Sequence, residues 1–253
     1  MSAMAWLEQE GAICRESYEV KTYDCTPRKE LSATALLRWS AELADVHLGF
    51  FELSYEQLNQ MGMVFLLTAV EMRIQRMPAM REGGTVATWH RGTDRVRFLR
   101  DTELCDQQGN CLAACSCEWV LVDPVTHKLK RPSCLPELGR VPMRDLSLLG
   151  PMAAIRLPGE MNAAGERRVG YADLDYNGHL NNTKYADIIS DWVPGGLGEG
   201  YFTRLRIDFQ GEAKQGDVLS ISTGVEAQSK YIRAVHNRGK CFTAVCEIRE
   251  GSQ

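Results

Sequence analysis

Residues 171–209 read YADLDYNGHLNNTKYADIISDWVPGGLGEGYFTRLRIDF, and two periodicities meet inside them. Tyr185, Ile188, Ile189 and Trp192 fall at i, i+3, i+4 and i+7, the spacing of one helix face. Asn182 or Thr183 can cap this helix, and Pro194-Gly195-Gly196 ends it. From Tyr201 the period drops to two. Tyr201, Thr203, Leu205, Ile207 and Phe209 alternate with Phe202, Arg204, Arg206 and Asp208, which predicts a strand with one face buried.

The same order stands earlier in the chain. Asp24 is followed seven residues later by Leu31, as Asp175 is by Asn182, and Leu31, Ala35, Trp39 and Leu43 outline a helix from Ser32 to about Val46. Glu71-Met-Arg-Ile-Gln-Arg, a turn and Gly84-Thr-Val-Ala-Thr parallel Leu205-Arg-Ile-Asp-Phe-Gln, a turn and Gly216-Asp-Val-Leu-Ser. Strand-like stretches follow in both halves, Arg95–Cys105 and Cys111–Val122 in one, Gln228–Val235 and Cys241–Arg249 in the other, with turn signals between them. A helix followed by antiparallel strands, twice over, predicts an α+β fold rather than a parallel α/β sheet. The proline-rich stretch from Asp123 to about Gly165 reads as a long connection. The expected domains are therefore 1–140 and 165–253, joined by a linker over 141–164.

Composition narrows the function classes. In 253 residues, 29 Lys plus Arg stand against 33 Asp plus Glu, so no global basic excess points to nucleic acid. The apolar stretch Met63–Val70 is far short of the roughly 18 to 20 residues that span a bilayer. The N-terminal run MSAMAWLEQE lacks the pattern of a secretory signal, so a cytoplasmic chain is expected. Nine cysteines without a C-x-x-C pair read as reduced thiols, and Cys111, Cys115 and Cys117 have the wrong spacing for a zinc knuckle. No metal and no cofactor are expected.

The chemistry concentrates ahead of the second helix. Asp175, Asn177, His179 and Asn181 occupy alternate positions, so an extended chain would project all four to one side. Asn and Asp before a helix are common caps, yet capping gives no reason for an imidazole beside them. The first-half counterpart, paired through Asp24, has Thr26 and Arg28 where the second has Asn177 and His179.

The motif Asp175-x-Asn177-x-His179-x-Asn181-Asn182-x-x-Tyr185, with the tandem layout over roughly residues 15 to 250, resembles the acyl-acyl carrier protein thioesterases of plant plastids and bacteria. The resemblance implies a double hotdog, each half a central helix wrapped by an antiparallel sheet, with the first half forming the substrate pocket. It implies hydrolysis of fatty acyl-acyl carrier protein, and it makes Glu212 in Gln210-Gly-Glu-Ala213 the equivalent of a catalytic glutamate. Ala213 stands where plant members carry a cysteine, and the chain has no G-x-S-x-G elbow, so attack by an activated water is expected. In that scheme Glu212 and His179 activate the water and Asp175 orients or tunes His179. Asn177 places the water or polarises the carbonyl, and amides at the helix start near Asn182 take the oxyanion. Met61–Leu67 is a candidate lining for the acyl chain, and Arg73, Arg76 and Arg81 are candidate contacts for an acidic carrier protein. Acyl-CoA hydrolysis and non-catalytic acyl binding are the alternatives. A hotdog hydratase is disfavoured because three residues, not four, separate Asp175 from His179. A monomer or a homodimer is expected.

Overall fold

The computed structural model describes residues 4–250; the first three residues of the N-terminal run and the last three of the second half lie outside them. Two compact units emerge, one of residues 4–70 and 75–150, the other of 71–74 and 151–250.

The first unit contains β1 (Trp6–Glu8), β2 (Ile13–Glu19), α1 (Ala33–Gly49), α2 (Tyr55–Gln60), β3 (Val64–Ile74, its last four residues grouping with the second unit), β4 (Gly83–Asp94), β5 (Arg97–Asp106), β6 (Cys111–Val122) and β7 (Leu129–Lys130). The second contains β8 (Asn162–Arg168), α3 (Lys184–Trp192), β9 (Tyr201–Phe209), β10 (Val218–Glu226), β11 (Ser229–His236) and β12 (Gly239–Arg249). Strand order is β2-β4-β5-β6-β3 in the first and β8-β10-β11-β12-β9 in the second, with β1 added beside β2 and β7 beside β6. The two topologies are the same, with α1 inserted between β2 and β3 and α3 between β8 and β9. This is the repeat expected from the sequence.

The helices form for local reasons. Ser32 caps α1 by accepting the Ala35 amide, and the buried stripe runs through Leu36, Ser40, Leu43 and His47. Trp39 lies on its flank, stacked on Tyr18 with ring centroids 5.1 Å apart. In α3 the predicted face is the buried one, where Tyr185, Ile188 and Ile189 point inward. Tyr185 meets Phe209 and Phe242 edge-on at 4.9 and 5.2 Å.

β9 has the predicted bounds but not a simple alternation. Glu247 pairs with Arg204 while Ile248 pairs with Phe202, so Thr203 is an extra residue on β9. This bulge shifts the parity, which brings Phe202 to the buried face shared by Leu205 and Ile207.

The polar residues in the α1 stripe belong to a buried network. Ser40 Oγ lies 2.8 Å from Thr102, whose hydroxyl donates to Thr88 at 3.1 Å, and Thr88 donates to the Asp101 carbonyl at 2.8 Å. Arg100 Nη1 donates to His47 Nδ1 at 3.0 Å, which leaves His47 Nε2–H to donate to the Gly11 carbonyl at 2.9 Å. Burial, reinforced by the Arg100 charge, pulls His47 and His90 down to about 4.

The stretch expected as a linker over 141–164 is held by hydrogen bonds along its length. Leu146 O accepts from Trp89 Nε1 at 2.9 Å, the Leu148 amide donates to Asp101 Oδ2 at 2.6 Å, and Arg144 stacks 4.5 Å from the Trp89 ring. Residues 141–150 therefore group with the first unit. In the second unit Ile155 N donates to Asp208 at 3.2 Å, and β8 already begins at Asn162. Prolines remove backbone donors, and side-chain acceptors on the sheet replace the lost ladder.

The Met61–Leu67 run divides. Met63 and Phe65 pack with Leu48, Leu53, Leu58, Phe98 and Leu121, whereas Met61 and Leu66 are exposed. Cys115 and Cys117 are buried in β6 with sulfurs 3.8 Å apart, and no metal-binding cluster occurs among the described residues.

Candidate active site

The predicted site residues converge through a turn, not through an extended strand. Leu174 and Leu180 bridge, the Asp175 amide donates to the His179 carbonyl at 2.8 Å, and the Gly178 amide donates to the Asp175 carbonyl at 3.0 Å. Gly178 at φ +76° lets the chain reverse. The alternate positions of the sequence therefore do not share a strand face. What they share is a loop closed by Asp175, whose Oδ1 accepts the amides of Asn177 at 2.9 Å and His179 at 3.2 Å. Asp175 thus orients the backbone that carries His179 and makes no hydrogen bond to the ring. Asn177 is exposed at the tip of the turn.

His179 meets Glu212 across two neighbouring segments. His179 bridges to Lys214 and the Leu180 amide donates to the Ala213 carbonyl at 2.7 Å, which sets the loop against residues 210–214. His179 Nε2 then lies 3.3 Å from Glu212 Oε2, with both side chains partly open to solvent. An imidazole and a carboxylate in direct contact and reachable by water form a unit able to move a proton.

The helix starts after Thr183, one of the two expected cap positions, without a capping hydrogen bond from its side chain. Asn181 Oδ1 accepts from the Thr183 amide at 2.9 Å and from its hydroxyl at 2.8 Å, and the Lys184 amide bonds the Asn181 carbonyl at 2.9 Å. The Thr183 and Lys184 amides are thus engaged within the turn. Ala213 is fully buried. The Cys241 thiol, in contact with the Tyr185 hydroxyl at 3.7 Å, is pushed up to about 11 by burial. Such a thiol is not a nucleophile at neutral pH.

The structure also corrects the register between the halves. The 3₁₀ turn Thr22–Asp24 matches Tyr171–Asp173, the Cys25–Leu31 bridge matches Leu174–Leu180, and the Leu31 amide reaches Pro78 O as Leu180 reaches Ala213 O. Asp24 therefore corresponds to Asp173, not to Asp175. The first-half counterparts of Asp175, Asn177, His179 and Glu212 are Thr26, Arg28, Glu30 and Met77, so none of the four is retained. Arg28 and Glu30 are joined by hydrogen bonds of 3.0 and 3.2 Å, and Lys29 holds φ +60° where the second half has Gly178.

The candidate carrier contacts are each matched by a carboxylate. Arg73 pairs with Glu71 at 3.0 Å, Arg76 with Glu82 at 2.7 Å and Arg81 with Glu19 at 3.2 Å. They do not make a bare basic patch.

Residues 11–134 match the acyl-ACP thioesterase N-terminal domain and residues 160–243 the acyl-ACP thioesterase C-terminal domain. The chain belongs to the acyl-ACP thioesterase family. It is 22% identical over 247 residues to oleoyl-acyl carrier protein thioesterase 2, chloroplastic, of Arabidopsis thaliana, covering 89% of this chain and 66% of that protein. Identity to the dodecanoyl-[acyl-carrier-protein] hydrolase, chloroplastic, of Cinnamomum camphora is also 22%, over 87% of this chain and 61% of the relative. The chain thus spans about two thirds or less of the plant relatives' length. Among solved structures, an acyl-ACP thioesterase from Bacteroides thetaiotaomicron superposes with a TM-score of 0.86 at 17% identity, covering 96% of this chain and all of that one. The 12:0-ACP thioesterase from Umbellularia californica gives 0.82 at 16% identity, over 97% of this chain and all of that one. These likenesses establish the double hotdog fold of this acyl-ACP thioesterase family member.

Sequence reasoning did not find the residues that support Glu212 from behind. His236 Nε2 lies 3.1 Å from the Glu212 carbonyl, and Arg238 lies next to it. Asn237-Arg238-Gly239 carried only a turn signal, because contacts to another segment's backbone leave no trace in local pattern.

Proposed function

We propose that this protein hydrolyses the thioester of fatty acyl-acyl carrier protein, releasing the free acid and so ending chain elongation. The observation that carries the reading is the 3.3 Å contact of His179 Nε2 with Glu212 Oε2, on the loop closed by Asp175, in a chain of this family. With Nε2–H donating to Oε2, the imidazole orients the carboxylate, and the pair takes the proton of the attacking water. The water adds to the thioester carbonyl, and the C–S bond then breaks. A carrier thiol of pKa about 8.5 leaves with less help than an alkoxide. Asn177, exposed at the tip of the turn, places the water or polarises the carbonyl.

Carrier and acyl group are tested together. Free thiol released from a panel of acyl-carrier-protein and acyl-CoA thioesters is measured for wild type and His179→Ala. Hydrolysis on the carrier protein that is lost in the variant supports both the activity and the site. Equal or better hydrolysis of the CoA thioesters moves the assignment to an acyl-CoA thioesterase. No release from any thioester by folded protein overturns the enzymatic reading in favour of acyl binding. Among the described residues no helix is long and apolar enough to cross a membrane.

A further inference from the structure

Glu212 sits on an irregular segment between β9 and β10, where no ladder fixes its backbone, yet three groups close on it. The Arg238 amide donates to His236 Nδ1 at 3.1 Å, so that nitrogen is the acceptor and Nε2 carries the proton. Nε2–H then donates to the Glu212 carbonyl at 3.1 Å, and Arg238 Nη2 donates to the same oxygen at 3.3 Å. The Arg238 guanidinium grips Asp217 in a two-pronged pair, with Nη1 to Oδ1 at 2.8 Å, and Asp217 Oδ2 accepts the Lys214 amide at 2.7 Å. On the other side of Glu212, the Gly211 amide bonds the Cys241 carbonyl at 3.1 Å. A Cβ at Gly211 would fall 2.4 Å from the Lys240 carbonyl, so only glycine permits this approach. The hairpin turn between β11 and β12 therefore pins the Glu212 segment from both ends.

We infer that His236 and Arg238 are positioning residues for the reaction, holding the backbone of Glu212 so that its carboxylate meets His179. This rests on the reading of Glu212 as part of the proton-moving pair. Neither residue touches the reacting atoms. They act through a carbonyl whose displacement by an ångström would move the carboxylate out of reach of the imidazole.

The test compares four variants, His236→Ala, His236→Gln, Arg238→Lys and Glu212→Gln, by steady-state kinetics on an acyl-carrier-protein thioester. It adds the ¹⁵N resonance of His179, assigned with His179→Ala. His236→Ala is expected to lower kcat by about 10- to 100-fold with KM changed by less than about threefold, since the loss falls on the transition state. Its His179 resonance should move toward the position seen in Glu212→Gln. His236→Gln, whose amide carries a donor at the same reach, should restore most of kcat. Should His236→Ala not fold, Arg238→Lys, which keeps a charge for Asp217 but lacks the planar fork that grips Asp217 while reaching the Glu212 carbonyl, is expected to show the same kcat loss and resonance shift in part. An inactive Glu212→Gln beside His236→Ala and Arg238→Lys with wild-type kcat and an unmoved His179 resonance overturns the positioning role alone. A fully active Glu212→Gln overturns the reading on which it rests.

Discussion

Asp175 shows how a residue can be found in a sequence while its role is not. A carboxylate four residues before a histidine invites an electrostatic role, but here Oδ1 accepts the amides of Asn177 and His179. An amide oxygen can accept those same hydrogen bonds. Asp175→Asn is therefore expected to keep activity within about tenfold of wild type, whereas Asp175→Ala, with no acceptor, should lose about 100-fold, measured as kcat on an acyl-carrier-protein thioester. An electrostatic role would make the two variants equally poor. Glu212→Gln keeps the shape of the side chain and removes the base, so its expected loss is the 10²- to 10⁴-fold typical of general-base catalysis, read in single-turnover thiol release. His179 and Glu212 were legible through the motif and its resemblance. The partners of Glu212's backbone were not, because a carbonyl accepts from whatever the tertiary fold brings to it.

At the level of elements, the strand and helix bounds were legible wherever one face is buried, since burial imposes the period. β9 matches its expected range, and α1 begins at its predicted cap. The alternation failed at Thr203, where a bulge changes parity without any glycine or proline to announce it. The turn at 175–179 reads as extended in the sequence because Asx-turn residues and strand-alternating polar residues look alike in one dimension. Its left-handed position gives a paired prediction. Gly178→Ala has open space around its new Cβ but a φ of +76°, so it is expected to cost about 1 kcal/mol, and Lys29→Gly at the matching φ of +60° should gain up to about 1 kcal/mol, both by denaturant unfolding. At Gly84 the constraint is contact instead. A Cβ there would lie 2.0 Å from the Cys105 carbonyl, so Gly84→Ala is expected to destabilise the β4–β5 pairing by more than about 3 kcal/mol.

For the whole molecule, the buried histidines set an acid limit to stability. His47 and His90 are held at about 4 against an ordinary 6.5, because burial beside Arg100 disfavours their charged forms. The unfolded chain binds these protons first, so the stability they lend is complete above pH 6.5 and is lost as pH falls toward 4. From pH 7 to 5, ahead of most carboxylate titration, a loss of about 2 kcal/mol per histidine is expected, and His90→Gln should flatten part of that slope in a series of melting curves. The repeat itself is visible in the sequence, but its register is not, because Asp24 aligns as well with Asp175 as with Asp173 until the backbone bridges fix the match. In three dimensions the loops at 24–32 and 173–181 carry matching backbone hydrogen bonds although only Asp24/Asp173 and Leu31/Leu180 keep the same residue. The first half is in effect a natural knock-out of the second, with three candidate residues replaced in this loop and the fourth at Met77, and the loop's conformation intact. Substitutions at Asn177, His179 and Glu212 should accordingly leave the scaffold standing, and inactive variants at these positions can be interpreted as lost chemistry rather than lost folding.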